Sequence, residues 1–349
     1  MYSCRVLNNL YFCFCLGREK WKRDRQWYCF LVLLLMGTLI LVIYNSYPQL
    51  YLPVNLWRTM KYNNTQVTGI SPLDPSQAER YFVAYPHPYH FILDEPDKCQ
   101  QEHPFLVLMI PVAPQDRKAR DAIRSTWGGE TTVLGQVVSH YFMLGLTKEG
   151  DRAEPLQEHH DLLQSDFLDS YQNLTIKTMV MLEWLALRCP SASYAMKIDS
   201  DMFLNVHNLV KMLLKAPRRG YMTGMVARGA PVLRDPNSKW FLPQEVFPEF
   251  CYPDYALGLG YVFSLDLPKK IIKASRHVKA IYIEDVYLGV CMKYLGIKLT
   301  DPPRGSLFKG VLPYWWTSCY WTSVITTILD SPQQLLFKKE KVPSAPCRK

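Results

Sequence analysis

The chain contains no internal repeat and no low-complexity tract, which excludes a repeat architecture and a compositionally biased one. None of its 10 cysteines falls in a Cys-x-x-Cys pair, which argues against a zinc ribbon or a thioredoxin-type site. Its formal net charge of +9 is not gathered into a basic stripe interleaved with aromatics, so nucleic acid is not indicated as a partner. Charge is missing altogether from Trp27 to Tyr44, and none follows until Arg58. That run of 18 residues is just long enough to span a bilayer.

What is present points to a membrane-anchored globular protein. Hydrophobic residues make up 48% and aromatics 13% of 349 residues, ample for a sizeable core and wrong for a disordered chain. Residues 1–26 carry Arg5, Arg18, Lys20, Lys22, Arg23 and Arg25 against Glu19 and Asp24. Trp27, Tyr28 and Tyr44 stand at the ends of the uncharged run, where an aromatic belt is expected. The positive-inside rule then predicts a cytosolic tail over 1–26, a transmembrane signal-anchor over 27–44, and the remainder outside the cytosol. A cleaved signal peptide fits less well, because Asn45-Ser46-Tyr47-Pro48 is a poor cleavage site.

Residues 45–101 read as a luminal stem, punctuated by prolines 48, 53, 72, 75, 86, 88 and 96 and lacking a sustained period. Asn63-Asn64-Thr65 is a glycosylation sequon in that stem, and Asn173-Leu174-Thr175 is a second, whose rival reading is a helix N-cap. Cys4, Cys13, Cys15 and Cys29 lie in the tail or membrane segment, as palmitoylation sites or free thiols. The other six, Cys99, Cys189, Cys251, Cys291, Cys319 and Cys347, permit up to three disulfides in an oxidising lumen. Six cysteines allow about 15 connectivities, and the sequence does not choose among them.

A luminal domain is expected over 102–347. Phe105 to Ile110 is continuously apolar and reads as a buried strand. Gln115 to Trp127 reads as a helix, Val137 to Leu144 as a strand, Asp151 to Leu163 as an acidic helix, and Asn173 to Arg188 as a helix ending before Cys189-Pro190. A strand leads into Asp199-Ser200-Asp201, and a helix follows from about Asn205 to Leu214. Gly258 to Phe263 begins a Gly-rich strand, and Glu284-Asp285 opens a helix running to about Tyr294. Strands alternating with helices predict an α/β sheet.

Asp199 and Asp201 therefore sit at the carboxyl end of a buried strand, where open α/β sheets bind ligands. Two carboxylates there can hold Mn²⁺ or Mg²⁺ and leave its other positions to phosphate oxygens. Alone, an Asp-x-Asp is more often a solvated turn. An EF-hand is excluded, because Phe203 and Leu204 stand where that loop needs an Asp or Asn and then a Gly. Acids at a helix start such as Glu284 and Asp285 ordinarily just complement the helix dipole.

Four blocks taken together resemble the β-1,3-galactosyltransferase family of Golgi glycosyltransferases (glycosyltransferase family 31). They are Arg120-Asp-Ala-Ile-Arg124-Ser-Thr-Trp127, the block from Asp166 to Thr178, Lys197-Ile-Asp199-Ser-Asp201-Met-Phe203, and Glu284-Asp285-Val-Tyr-Leu-Gly289. The resemblance runs from about Tyr85 to Cys347 and weakens between Pro302 and Val324. It implies a GT-A fold with a Rossmann-like nucleotide-binding sheet, and inverting transfer of galactose from UDP-galactose to the 3-hydroxyl of a terminal GlcNAc on Golgi glycans.

It also implies that Asp199 and Asp201 hold Mn²⁺ against the UDP diphosphate, with Asp201 favoured as direct ligand. Arg120 and Arg124 would face the donor together, Lys239 and Trp240 would lie near it, and Asp285 would be the general base. Two departures stand out. Leu257 and Leu259 flank Gly258 where the family has a small polar residue and Thr, and Ile328 falls where the family has a metal-binding His. Two alternatives follow. One is transfer of GlcNAc or GalNAc by the same machinery. The other is a catalytically weak homologue that partners a Golgi glycosyltransferase.

Overall fold

The computed structural model describes residues 34–38, 78–147, 159–312, 318–331 and 334–339. Asn63, the four cysteines of the tail and membrane segment, Cys347, and all of the expected membrane span except the helical residues 34–38 lie outside these. No helix among the described residues is long and apolar enough to cross a membrane.

One mixed sheet organises the domain. Its order is β1 (Phe91–Leu93), β5 (Leu162–Leu168), β4 (Gln136–Leu146), β2 (Leu106–Pro111), β6 (Tyr194–Ile198), β9 (Tyr255–Ser264) and β8 (Met222–Ala227), with β3 (Thr132–Val133) paired on β4. The central four, β5, β4, β2 and β6, run parallel. The flanking β1, β9 and β8 pair antiparallel. A small second sheet pairs β7 (Met202–Leu204) with β10 (Thr326–Ile328).

The helices are α1 (Lys98–Glu102), α2 (Arg117–Arg124), α3 (Leu174–Arg188), α4 (Val206–Leu213), α5 (Leu267–Ser275), α6 (Glu284–Tyr294), α7 (Ser318–Ser323) and α8 (Gln334–Lys339). Strand β2 is apolar throughout, and β6 is apolar except for Lys197, because both faces of the sheet are covered. Val107, Met109 and Ala195 enter one core with residues of α3, α5 and α6. Leu106, Leu108, Ile110, Met196 and Ile198 enter the other with residues of α2 and α4. Lys197 shares the register of Ala195 and so points its charge into the layer under α6.

Two expectations need correcting, and one pairing left open by the sequence is filled in. The stem does not reach 101, because Phe82 bridges Ile281, Phe91 pairs with Ser165, and Tyr85 and Cys99 are core residues. The acidic helix over 151–163 does not extend to its end, since Leu162 opens β5. That strand is hard to read because Gln164 and Ser165 look exposed yet are fully buried. Finally, Cys99 and Cys189 form a disulfide, tying α1 to the end of α3. Cys251 and Cys291 are free thiols, and Cys319 is disulfide-bonded.

Candidate active site

The parallel strands all end at one cleft of about 870 Å³. Pro111 ends β2 and Val112 to Asp116 follow it, Thr147 follows β4, Asp169 to Tyr171 follow β5, and Asp199 to Asp201 follow β6. The chain runs from β2 outward to β4 and β5, then returns to place β6 on the other side of β2. That reversal is where open α/β sheets leave a crevice.

Asp199 and Asp201 both line the cleft. Lys197 Nζ binds Asp199 Oδ1 at 2.6 Å, and the Asp199 side chain keeps 34% of its exposure. Asp201 is exposed as a residue, but partial burial of its carboxyl and the charge of Asp199 raise its pKa. Two carboxylates that repel each other at the mouth of a cleft suit a cation. Among the described residues no three His, Cys, Asp or Glu side chains form a cage, so a cation here would take its remaining ligands from elsewhere.

Behind the pair lies a buried ionic cluster. Lys197 also donates to the Gly258 carbonyl and stands 3.8 Å from Glu284 Oε2. Burial works against its charge, but Asp199 and Glu284 outweigh it and hold the ammonium protonated. Glu284 accepts from the Tyr261 hydroxyl at 2.5 Å and the Thr178 hydroxyl at 3.2 Å, and burial pushes its pKa up to about 7. Asp285, at the start of α6, accepts from the Gly258 N–H at 2.9 Å and from the Val286 N–H at 2.8 Å. Burial raises its pKa while those backbone bonds oppose the rise. A Cβ at Gly258 would meet Glu284 Oε2 at 3.1 Å and both Asp285 Oδ2 and Lys197 Nζ at 3.6 Å, so a larger residue here would press on the Glu284 carboxylate.

Tyr171 connects the cluster to the cleft. It lines the cleft, and burial raises its pKa, with the charges of Asp285, Asp199 and Glu284 adding to the rise. On the opposite wall, Lys177 Nζ donates to Asp169 Oδ2 at 2.6 Å and to the Val112 carbonyl at 2.8 Å. Asp169 Oδ2 in turn accepts from the Gly145 N–H at 2.9 Å, so one ion pair joins the ends of β2, β4 and β5.

The two arginines do not face the cleft together as expected. Arg120 is buried and donates to the Pro114 carbonyl at 3.0 Å, supporting the loop that forms the cleft floor. Arg124 makes a two-pronged pair with Asp161, 2.8 Å on each side, and a further bond to Asp121 at 2.8 Å. Despite burial, the hydrogen bonds from Arg124 and His140 hold the Asp161 pKa well below the usual carboxylate range. Neither arginine lines the cleft, and Arg124 has its donors spent on the scaffold.

Lys239 lies 4.4 Å over the Trp240 ring and 5.9 Å from the centre of the Tyr171 ring, and it lines a second cleft. Asn173 does not cap α3 with its side chain. Its Nδ2 donates to the Leu168 carbonyl at 2.8 Å, a bond that one remaining N–H could keep if the other were replaced by a sugar, while the Thr175 hydroxyl is buried on the Ile281 carbonyl.

Ile328 pairs with Met202 across the small sheet, and the Leu329 N–H bonds the Asp201 carbonyl at 2.9 Å. Position 328 is therefore next to the Asp pair, and its isoleucine packs on the second core. Leu259 packs on that core too, and neither it nor Leu257 lines the cleft.

Sequence reasoning gave no role to Lys177, Lys197, Asp169 or Glu284. The available signal was a lone lysine inside an apolar run, which must find a counter-charge when buried.

A mixed α/β sheet with an Asp-x-Asp pair at the end of a central strand is a glycosyltransferase architecture. The family model described as Galactosyltransferase matches residues 118–303, and the chain belongs to that family. It is 41% identical over 268 residues to Beta-1,3-galactosyltransferase 2 of Pongo abelii, covering 73% of this chain and 63% of that protein. It is 40% identical to the Homo sapiens protein of the same name over the same shares. Against Beta-1,3-galactosyltransferase 1 of Mus musculus it is 39% identical over 260 residues, covering 72% of this chain and 77% of that protein. The match thus spans less than two thirds of the length of the first two relatives.

Proposed function

We propose that this protein is a UDP-sugar-dependent β-1,3-glycosyltransferase of GT-A type. It moves galactose from UDP-galactose to the 3-hydroxyl of a terminal GlcNAc, with inversion. The observation that carries the reading is the join between Asp285 and the Asp199–Asp201 cleft through Lys197 and Gly258, in a chain that resembles β-1,3-galactosyltransferases. The 870 Å³ cleft has room for a nucleotide sugar.

The two aspartates suit Mn²⁺, whose bound form would offset charge developing on the departing diphosphate. Every other role falls to the chain. Arg120 and the Lys177–Asp169 pair hold the loops of the cleft at fixed distances. Lys197 keeps Asp199 in place and balances the buried acids. Asp285 Oδ2 or Oδ1 takes the proton of the acceptor hydroxyl, with the two backbone N–H groups fixing the carboxylate plane. A single base suffices for inversion, since the departing diphosphate needs no protonation comparable to that of a sugar alcohol.

The run from Trp27 to Tyr44 and the charge before it support a single-pass Golgi protein with its catalytic domain in the lumen. Glycans at Asn63 and Asn173 belong to the same reading, and enzymatic deglycosylation should increase gel mobility by an amount that each Asn→Gln variant reduces.

A screen of UDP-sugars against GlcNAc-ended acceptors, with and without Mn²⁺, tests the proposal. Turnover with UDP-galactose that requires the metal is expected. Turnover only with UDP-GlcNAc or UDP-GalNAc would keep the class and change the sugar. No turnover with any pair would favour a weak or inactive homologue, the reading that Ile328 beside the Asp pair motivates.

A further inference from the structure

The second cleft, about 460 Å³, adjoins the first across the ridge of Tyr171 and Gln172. Three aromatic rings wall it. Tyr81 stands edge-on to Phe241 with centroids 5.7 Å apart and lies 6.1 Å from Tyr282. The Tyr282 hydroxyl donates to the Phe241 and Lys239 carbonyls at 2.8 and 3.1 Å, which fixes the loop opposite. The Tyr282 N–H bonds the Tyr81 carbonyl at 3.1 Å and the Val83 N–H bonds the Ala280 carbonyl at 2.9 Å, so the segment before β1 is clamped to the approach of α6. Three residues beyond Tyr282 stands Asp285. The second cleft is thus built against the start of the same helix that presents the proposed base.

Its charge is one-sided. Arg80 and Lys239 line it together with Gln172, and no Asp or Glu does. Arg80 donates to the Tyr81 hydroxyl at 2.8 Å and stands 4.9 Å over that ring. Lys239 is held over Trp240 and Tyr171. Among the described residues neither cation has a carboxylate within ion-pair distance, and neighbouring Glu79 is engaged by Lys279 at 2.9 Å. Aromatic walls match the apolar face of a sugar ring, and a guanidinium beside an ammonium matches an oxyanion. A neutral sugar would leave the charge of both exposed cations to water and the neighbouring rings.

We infer that this cleft is a subsite for an acidic residue of the acceptor glycan, one carrying a sulfate ester or a carboxylate next to the sugar that receives transfer. The inference rests on the transferase reading for the word acceptor, but binding can be measured without it.

The test is calorimetric titration of the full chain with three soluble oligosaccharides ending in GlcNAc. In one the penultimate galactose is unmodified, in the second it carries a 6-sulfate, and in the third it is replaced by glucuronic acid. At least one acidic ligand should bind about tenfold more tightly than the neutral one, the scale of a charge-assisted bond. Which one does so identifies the anion as sulfate or carboxylate. Arg80→Ala should remove most of that preference and leave the neutral ligand's affinity unchanged, and Arg80→Lys should keep part of it. Equal affinity for all three ligands in the wild type overturns the inference, as does a preference that survives in an Arg80→Ala protein of unchanged melting temperature. Transfer to the neutral oligosaccharide, assayed on the same samples, judges the transferase reading separately. Acidic preference without any transfer would retain the subsite and reject the enzyme.

Discussion

One buried lysine lines the first cleft and another lies behind its Asp pair, and their surroundings drive them in opposite directions. Lys177 meets one carboxylate, Asp169, and burial outweighs it, so its pKa falls. Lys197 is as deeply enclosed, yet Asp199 and Glu284 together overcome burial and its pKa rises. Asp285 adds to the rise at Lys197, whereas at Lys177 the pull of Asp199 is opposed by the charge of Lys197 itself. The two consequently do different things. Lys177 joins strand ends and frames the cleft, whereas Lys197 is a fixed positive charge that lets three acids occupy one small volume.

The chemistry belongs on the Lys197 side, so the largest effect is expected there. Asp285→Asn should lower kcat by about 10²–10⁴, because the amide keeps the shape but accepts no proton. Donor affinity and melting temperature should stay near wild type. A variant that fails to fold would make Asp285 a structural helix-start acid and undo the contrast.

Lys197→Met comes next. It strips the counter-charge from buried Glu284 and frees Asp199, and breaking a buried pair from one side costs about 3–5 kcal/mol. Urea unfolding should show the loss, and adding Glu284→Gln should recover part of it. If the double variant is no more stable than the single one, Glu284 does not depend on Lys197. Lys177→Met should cost less, about 1–3 kcal/mol for the unanswered acceptors Asp169 and Val112. It should raise KM for the donor more than it lowers kcat, since the pair frames the cleft. A pure kcat loss would erase the distinction between the two lysines.

A smaller effect concerns pH. Unfolded glutamate ionises near about pH 4.3, whereas Glu284 in the fold titrates at about 7. Between those values the folded protein holds a proton that the unfolded chain has lost. Stability should therefore fall as pH rises across that window and level off above it. Glu284→Gln should flatten the slope in chemical denaturation, and a slope unaffected by it would assign the proton to another group. Smallest is Ile328→His, which should lower the Mn²⁺ concentration giving half-maximal rate. No change on adding the imidazole would mean that position 328 points away from the metal.

The parts legible in the sequence are those that depend on neighbours in the chain. The period of α3 and the acids opening α6 fix their helices to within a residue, and Asp199 and Asp201 fall at the end of β6 as their apolar approach implies. Partners distant in sequence were not legible. Arg124 reads as a free phosphate binder until Asp161, 37 positions away, is brought beside it. Gln164 and Ser165 disguise β5 because polarity is read as exposure. Arg80 was assigned to a stem because proline-rich sequence does not announce that it will be pinned to the residues before α6.

That pinning bears on where the chain can be cut. The segment 79–83 lies upstream of the 118–303 region by which the family is matched, and also upstream of the expected domain start at 102. A soluble version begun at 102, or even at 85, would discard the bridge between Phe82 and Ile281 and one wall of the second cleft. The first cleft would keep its walls while the second lost one of its own. Ligand preference measured on the shorter chain therefore reports a different surface from that of the full chain, and the two lengths should be compared before a preference is assigned from either.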